Sequence, residues 1–313
     1  MLDPDIQRLL TTVFNVAPAP GAPEIAALRA AAEHAPEVLG GEPAALASIV
    51  DAHVPGDGPP VAVRVYRPHA PTDGATPPLI VYAHGGGWVT GSLASHDRLC
   101  RHLARHTEAV IVAVNYRCAP EHVYPAALDD VAAAWQWARA NARELGADGE
   151  RFGVGGDSSG GNLAAALCLR LRADGAAQPQ LQILLYPALD ARCERASYRQ
   201  FSSGFNLSAA QMQWYWDAYR AGADAHAAEL SPLAASSLAG LAPAVIAVAE
   251  CDVLRDDGLE YAQRLAADGV SVRLVECSGM IHGFLRWTGA VSAAMRWVDA
   301  IGSASRTALA QRA

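Results

Sequence analysis

Short apolar runs alternate with longer amphipathic stretches along most of this chain. Residues 79–84 and 109–116 are almost continuously apolar over the length of one strand, a pattern typical of strands buried on both faces. Further strands are predicted at 61–67, 151–154, 181–187, 244–250 and 270–276. Apolar residues at helical spacing predict helices at 5–14, 23–32, 95–105, 128–145, 162–171, 212–219 and 259–267, and from 293 onward.

This alternation of strands and helices predicts the fold class. It favours an α/β fold with a mostly parallel, doubly wound sheet and helices on both faces. The rhythm is interrupted at 191–235, which contains the aromatic helix Met212-Gln-Trp-Tyr-Trp-Asp-Ala-Tyr219. In sheets of this kind the ligand crevice lies beyond the carboxyl ends of the strands. His84, Ser158, Asp252 and the loop that holds His282 all follow predicted strands, so we expect them to meet there.

The stretch Gly156-Asp157-Ser158-Ser159-Gly160 matches the G-x-S-x-G nucleophile elbow. It stands between a predicted strand and a predicted helix, as the motif requires. A serine on such a sharp turn has its hydroxyl exposed, and the flanking glycines permit close packing of the backbone. Ser158 occupies the central position and is the predicted nucleophile. A five-residue match is common by chance, so the rest of the chain must supply a base, an acid and an oxyanion hole.

A base and an acid are present in the order that this motif predicts. His282 lies in a short loop after the last strand and is the predicted base. Asp252 follows the strand at 244–250 directly and is the favoured acid, while Asp190, which follows an earlier strand, is the alternative. The neighbouring acids at 256 and 257 are interpreted as favourable charges at a helix N-terminus.

His84-Gly-Gly-Gly-Trp88 matches the H-G-G-G motif of an oxyanion loop. Consecutive glycines let backbone N–H groups point into a site without obstruction by side chains. We assign the donors to Gly86 and Gly87, together with the N–H of Ser159, and Gly85 is the less favoured donor. His84 is expected to shape the loop rather than to transfer protons.

Taken together, these motifs resemble bacterial esterases of the hormone-sensitive-lipase type, in the α/β-hydrolase superfamily. The resemblance extends from about residue 60 to about residue 290. It implies hydrolysis of carboxylic esters through an acyl-enzyme, a Ser158–His282–Asp252 triad, no cofactor and a helical cap. Ser159, Val253 and Cys118 stand where the family usually has Ala, Pro and Leu, and none of these departures removes a catalytic group. The stretches that carry the resemblance are His84-Gly-Gly-Gly-Trp88, Asn115-Tyr-Arg-Cys-Ala-Pro-Glu-His122, Pro125-Ala-Ala-Leu-Asp-Asp130, Gly156-Asp-Ser-Ser-Gly-Gly-Asn-Leu163, Tyr186-Pro-Ala-Leu-Asp190, Asp252-Val-Leu-Arg-Asp256 and His282-Gly-Phe284.

The same resemblance divides the chain into domains. Residues 1–50 are predicted to form N-terminal cap helices, residues 191–235 a cap insertion, and residues 51–190 and 236–313 the catalytic domain. Pocket walls are predicted from Trp88 beside the oxyanion loop and from one face of the aromatic helix, Met212, Trp216 and Tyr219. Packing within the cap is an equally weighted interpretation of that helical face. An apolar pocket under a cap would favour esters of short to medium acyl chains.

Composition excludes several other function classes. The net charge is −8 and no basic cluster is present, which argues against nucleic-acid binding. No apolar run reaches the length of a membrane span, and the first residues lack the pattern of a secretory signal. Six scattered cysteines without a C-x-x-C pair favour reduced thiols and a cytoplasmic location. The expected partner is a small-molecule ester, and the sequence is compatible with a homo-oligomer without deciding the oligomeric state.

Four alternatives compete with the esterase interpretation. A dinucleotide-binding enzyme is disfavoured because neither glycine-rich stretch completes G-x-G-x-x-G. A metal hydrolase is disfavoured because His102 and His106 lack the glutamate of H-E-x-x-H. A non-catalytic receptor on the same fold would lack the catalytic histidine, whereas His282 is present. An amidase or deacetylase using the same triad stays open.

Overall fold

The computed structural model describes residues 1–14, 24–55, 59–70 and 74–310. Within these residues the strands form one eight-stranded sheet in the order β1-β2-β4-β3-β5-β6-β7-β8. Strand β2 pairs antiparallel with both β1 and β4, and all other neighbours are parallel. The strands are β1 Ser48–Val54, β2 Val61–Arg67, β3 Leu79–Ala83, β4 Val110–Val114, β5 Phe152–Asp157, β6 Leu181–Leu185, β7 Ala244–Cys251 and β8 Val272–Ile281.

Helices cover both faces of this sheet, as the alternating pattern predicted. They are α1 Pro4–Thr12, α2 Ile25–Leu39, α3 Asp97–Thr107, α4 Ala126–Ala140, α5 Ser159–Ala173, α6 Ala196–Gln200, α7 Ala209–Arg220, α8 Arg255–Ala267 and α9 Ala294–Ala310. Helix α3 packs against α9, and α4 packs against α5. The four central strands β3, β4, β5 and β6 are buried at every position, which explains why they are almost continuously apolar. The fold is therefore the predicted α/β-hydrolase architecture.

Strand β1 was not predicted from the sequence. β1 is an edge strand paired only with β2, and six of its seven residues are at least partly exposed, so it lacks the apolar run that marks the central strands. It crosses the boundary at residue 50 that was predicted between cap and catalytic domain. The helix predicted from residue 23 begins at Ile25, residue 23 itself lying outside the described residues, and it continues to Leu39.

One arginine of helix α2 makes several hydrogen bonds to the region around the glycine loop. Arg29 donates from Nε to the carbonyl of Val89 at 2.9 Å and from Nη2 to the carbonyl of Ala119 at 3.1 Å. It also forms a two-pronged ion pair with Glu121 at 2.8 and 2.7 Å. Since Val89 follows the glycine loop directly, Arg29 connects α2 to the region where the sequence places the oxyanion hole.

None of the helices in the described ranges combines the length and the apolar character that a membrane crossing would need.

Candidate active site

Ser158 stands at the turn between β5 and α5. Its φ of 56° and ψ of −119° lie outside the regions that a residue with a side chain ordinarily adopts. A Cβ on Gly156 would collide with the backbone of Gly160, and a Cβ on Gly160 would collide with the carbonyl oxygen of Ala83 on the neighbouring strand. The glycines on both sides of Ser158 are therefore required by close packing, and the turn presents the serine hydroxyl at the carboxyl edge of the sheet.

Three side chains at this edge form one continuous chain of hydrogen bonds. The hydroxyl Oγ of Ser158 lies 2.9 Å from Nε2 of His282, and Nδ1 of His282 lies 2.7 Å from Oδ2 of Asp252. Asp252 and His282 each follow the last residue of a strand, β7 and β8. The second carboxylate oxygen of Asp252 accepts the N–H of Leu254 at 2.9 Å, which fixes the orientation of the carboxylate. All three side chains are buried at 8% exposure or less, so their polar contacts are shielded from water.

The alternative acid, Asp190, is engaged elsewhere. Its carboxylate accepts hydrogen bonds from Arg192 at 2.8 and 2.7 Å and contacts Arg195. Burial raises the pKa of this carboxyl, but the bonds from Arg192 and Arg195 outweigh it and leave the pKa below its usual value. The structure thus brings Asp252 into contact with His282 and ties Asp190 to two arginines.

The three N–H groups of the glycine loop after β3 differ in their hydrogen bonding. The N–H of Gly85 already donates to Oδ1 of Asp157 at 2.9 Å. Gly86 and Gly87 have φ values of 125° and 61°, line the cavity beside Ser158, and their N–H groups meet no backbone acceptor in the described ranges. Ser159 is the first residue of α5, where the N–H has no partner within the helix. The arrangement leaves Gly86, Gly87 and Ser159 as available donors, the set favoured from sequence over Gly85.

His84 is held as a structural side chain. Its Nδ1 lies 2.8 Å from the carbonyl of Gly85, and its ring stacks on Tyr116 at 4.2 Å. Burial, with a smaller contribution from His96, lowers the pKa of His84 to about 3. A histidine that is neutral at every working pH, with Nδ1 bonded to its own loop, supports the interpretation that His84 shapes the loop.

Asp157, next to the serine, organises the underside of the loop. Its carboxylate accepts the hydroxyl of Tyr82 and the N–H of Gly85, both at 2.9 Å, and lies 3.3 Å from Nε2 of His96. Burial acts to raise the pKa of Asp157, but His96, Arg286 and Tyr82 hold it well below its usual range. Asp157 is therefore an ionised anchor that ties the oxyanion loop to the nucleophile elbow.

A cavity of about 190 Å³ opens onto Ser158 and His282. One wall comes from helix α2, through Leu28, Ala32 and Ala35. The opposite side carries polar groups from α7, the loop before it and the turn after β8. These are Asn206, Gln211, Tyr215 and Arg286.

Of the four residues predicted to line the pocket, the structure places one at the cavity. Met212 lies on its wall, whereas Trp88, Trp216 and Tyr219 are fully buried behind it. The ring of Trp88 stacks on Tyr219 at 4.5 Å and packs on Trp216 at 4.2 Å. The most apolar face of α7 is used for core packing, so the cavity is lined by its neighbouring face.

Tyr215 and Arg286 line the cavity, although neither was predicted from the sequence to do so. Tyr215 packs its ring against Gly87, where any Cβ would collide with it. Arg286 follows the catalytic loop in a short 3-10 helix, Phe284–Arg286. Nothing in the sequence around Arg286 indicated that this side chain would line the cavity. Within the described ranges, no cluster of His, Cys, Asp or Glu is arranged to hold a metal ion.

The chain is similar to known proteins of this fold. A family profile described as the α/β hydrolase fold matches residues 80–286. The chain is 41% identical over 293 residues to the carboxylic ester hydrolase LipN of Mycobacterium tuberculosis, a match covering 91% of this chain and 77% of that protein. It is 41% identical over 232 residues to the ethyl acetate hydrolase of Pseudomonas putida, covering 74% of this chain and 73% of that protein.

Solved structures extend the similarity to nearly the whole chain. An ester hydrolase from the metagenome of Lake Arreo, solved with a bipyridine phosphonate derivative, superposes with a TM-score of 0.92 and 36% identity over 99% of this chain and 100% of that one. The esterase of Pyrobaculum calidifontis superposes with a TM-score of 0.88 and 34% identity over 98% of this chain and 99% of that one. The family profile spans more than half of the chain, and the matched residues include the glycine loop, the nucleophile elbow and the loop that holds His282. The chain therefore belongs to the α/β-hydrolase-fold family, in its hormone-sensitive-lipase-type branch.

Proposed function

We propose that this chain hydrolyses carboxylic esters through Ser158, His282 and Asp252. The observation that carries the proposal is the unbroken hydrogen-bond chain from the Ser158 hydroxyl through His282 to Asp252 at the base of the cavity. The relatives of this chain, which are named as ester hydrolases and esterases, also identify it as a carboxylic ester hydrolase. The residue roles follow from general acyl-transfer chemistry.

In the first half-reaction, Oγ of Ser158 attacks the ester carbonyl while Nε2 of His282 takes the hydroxyl proton. Asp252 stays ionised, holds the proton on Nδ1 and stabilises the imidazolium that forms. Collapse of the tetrahedral intermediate breaks the C–O bond, and His282 gives its proton to the departing alcohol. Water then attacks the acyl-serine with His282 as base, and the carboxylic acid and free serine are restored.

The negative oxygen of each tetrahedral intermediate is proposed to lie against the N–H groups of Gly86, Gly87 and Ser159. These donors are fixed before the substrate arrives, so they stabilise the developing charge without reorganisation. Support comes from the N–H groups of Gly86 and Gly87, which meet no backbone acceptor among the described residues, and from the anchoring of Gly85 to Asp157.

We further propose that residues 1–50 and 191–235 serve as the cap. Helix α2 and residues 206–215 supply walls of the cavity, which supports this division. The small volume supports substrates with short to medium acyl chains. The cytoplasmic location stays a prediction from the sequence, which is also compatible with a homo-oligomer.

Hydrolysis of p-nitrophenyl butyrate by the wild-type chain and two serine variants tests the proposal. Ser158→Ala removes the nucleophile, and we expect release of p-nitrophenol to fall to the level of the buffer. Ser159→Ala is the matched control, because it removes only a hydroxyl and keeps the backbone donor, and it should retain most of the activity. Undiminished turnover by Ser158→Ala would overturn the assignment.

The remaining alternatives are separated by two further measurements. An amidase would cleave the p-nitroanilide of butyric acid at a rate comparable with the ester, whereas we expect the ester to be strongly preferred. A receptor would bind esters tightly without turning them over. The contact between His282 and Ser158 favours catalysis over that interpretation.

A further inference from the structure

Arg286 is an unpaired arginine in the wall of the catalytic cavity. It is half-buried, and no carboxylate in the described part of the chain lies within ion-pair distance of it. Its Nε is shielded from solvent and meets no acceptor among the described residues. A sheltered donor without an acceptor is costly, so its retention at a site calls for a partner that arrives from outside the chain.

Among the other described arginines, Arg98 also has a sheltered Nε without an acceptor, but its Nη1 donates to the carbonyl of Pro36. Those in the interior or at interfaces form ion pairs or bonds to carbonyl oxygens, as Arg195 does with Asp190 and Arg264 with Leu233. Arginines without a hydrogen bond or ring contact elsewhere are exposed to water: Arg105, Arg143 and Arg273. Arg286 combines partial burial, an unused fork of donors and a position in the cavity.

The guanidinium lies close to the loop that carries His282. Its Nη2 is 3.4 Å from the point where a Cβ on Gly283 would lie, and Gly283 follows His282 directly. Burial raises the pKa of Tyr215, and the charge of Arg286 opposes this rise, which places the phenol within its electrostatic range. Both side chains line the same cavity as Ser158.

The other charged groups at this cavity do not form ion pairs with Arg286. The two oxygens of Asp157 are occupied by Tyr82, Gly85 and His96, and Asp252 is bound to His282. Asp157 and Asp252 therefore moderate the positive field without blocking the donors of Arg286. A guanidinium fork matches a carboxylate in a two-pronged geometry, better than it matches a neutral carbonyl.

From this geometry we infer that Arg286 is a specificity residue that binds a carboxylate carried by the substrate, so that the preferred esters are anionic, such as half-esters of dicarboxylic acids or esters of hydroxy acids. The inference rests on the proposed esterase function and adds the substrate class. It runs against the overall charge of −8, which would otherwise repel such substrates.

The test compares each anionic ester with a neutral ester of the same shape. Hydrolysis is measured by titrating the released acid at constant pH. On the acyl side, the monoethyl esters of succinic, glutaric and adipic acid are paired with their ω-carbamoyl analogues. On the alcohol side, acetoxyacetate is paired with acetoxyacetamide. The two arms show which side of the ester bond carries the charge.

The readout is the ratio of kcat/KM for the anionic ester to that for its neutral partner. We expect a ratio of about ten or more for the wild-type chain in at least one arm, the range that a charged hydrogen bond provides. Arg286→Gln should lower the ratio about tenfold or more, mainly through KM, and Arg286→Lys should restore part of it. Arg273→Gln, an exposed arginine on β8, is the matched control and should leave the ratio unchanged.

A ratio near one in both arms, or an equal loss for anionic and neutral esters in Arg286→Gln, would overturn the inference and leave Arg286 with a structural role. Failure of the underlying function would be distinguishable, because the wild-type chain would then hydrolyse neither ester of a pair. Hydrolysis of the neutral esters that depends on Ser158, combined with a ratio near one, would refute the carboxylate site alone.

Discussion

Replacing Asp252 with asparagine changes the tautomer of the catalytic histidine while preserving the shape of the site. Oδ1 of Asp252 accepts the N–H of Leu254 at 2.9 Å, and Oδ2 faces Nδ1 of His282 at 2.7 Å. In Asp252→Asn the carbonyl oxygen keeps the bond to Leu254, so the amide NH₂ is turned toward His282. Nδ1 must then accept a hydrogen bond, which moves the imidazole proton to Nε2, the atom that faces Ser158.

A protonated Nε2 cannot take the serine proton, so the base is lost although every atom stays in place. In other triads this loss amounts to roughly 10⁴ in kcat. At about 1.36 kcal/mol for each factor of ten, this corresponds to about 5.4 kcal/mol of transition-state stabilisation. We expect a decrease of this size for Asp252→Asn with little change in KM, measured with p-nitrophenyl butyrate at pH 7–8.

Asp190→Asn is the matched control, since Asp190 is as deeply buried and also follows a strand. Its carboxylate contacts Arg192 and Arg195 rather than His282. Removing it should lower the melting temperature, because an arginine loses its buried partner, while kcat of the folded protein stays within a few-fold of wild type. A Asp252→Asn variant within tenfold of wild type, or a larger kcat loss in folded Asp190→Asn, would refute the assignment of the acid.

The remaining predictions concern the elbow, the attachment of α2 and one buried carboxyl. Gly160→Ala would drive a methyl group into the carbonyl oxygen of Ala83, so we expect loss of soluble folded protein. In the control Gly175→Ala the methyl group meets open space. Its positive φ should lower the free energy of unfolding by only about 1 kcal/mol, measured by urea unfolding. Arg29→Ala removes the bonds from α2 to the backbone beside the glycine loop, so it should raise KM for p-nitrophenyl butyrate several-fold with a smaller effect on kcat. An unchanged KM would show that the other contacts of α2 are sufficient to hold it in place. Burial raises the pKa of Asp257 to about 8, so the folded chain keeps a proton there between about pH 4 and pH 8 that the unfolded chain releases, and stability falls as pH rises through this window. Asp257→Asn keeps an acceptor for the backbone N–H groups and should flatten that decline in thermal melts at pH 5 and pH 8; an unchanged slope would contradict the raised pKa.

The central features of the fold and of the site were predictable because each leaves a local signature. Buried parallel strands require unbroken apolar runs, and the elbow requires glycines at fixed offsets from Ser158. Edge strand β1 escaped prediction because exposed polar positions such as Asp51 and His53 give it no apolar run. The choice between Asp252 and Asp190 also depends on three dimensions, since both follow strands and differ only in what their carboxylates meet.

The pocket was harder to predict for a related reason. Met212, Trp216 and Tyr219 share one helical face, and the sequence cannot say whether that face meets the core or the ligand. In the structure Trp216 and Tyr219 meet Trp88 in the core, while Met212 lines the cavity together with Tyr215 from the adjacent face. Arg286 has no local signature, because an arginine in a sequence is ordinarily expected at the surface.

The identity of the nucleophile can be observed directly with a phosphorylating ester. Diethyl p-nitrophenyl phosphate transfers its diethylphosphoryl group to an activated serine and releases p-nitrophenol. After incubation, peptide mass spectrometry of the stretch that contains both Ser158 and Ser159 locates the modification. The account predicts one diethylphosphoryl group on Ser158, and none when His282 is replaced by alanine. Modification of Ser159, or of neither serine in an enzyme that hydrolyses esters, would contradict it.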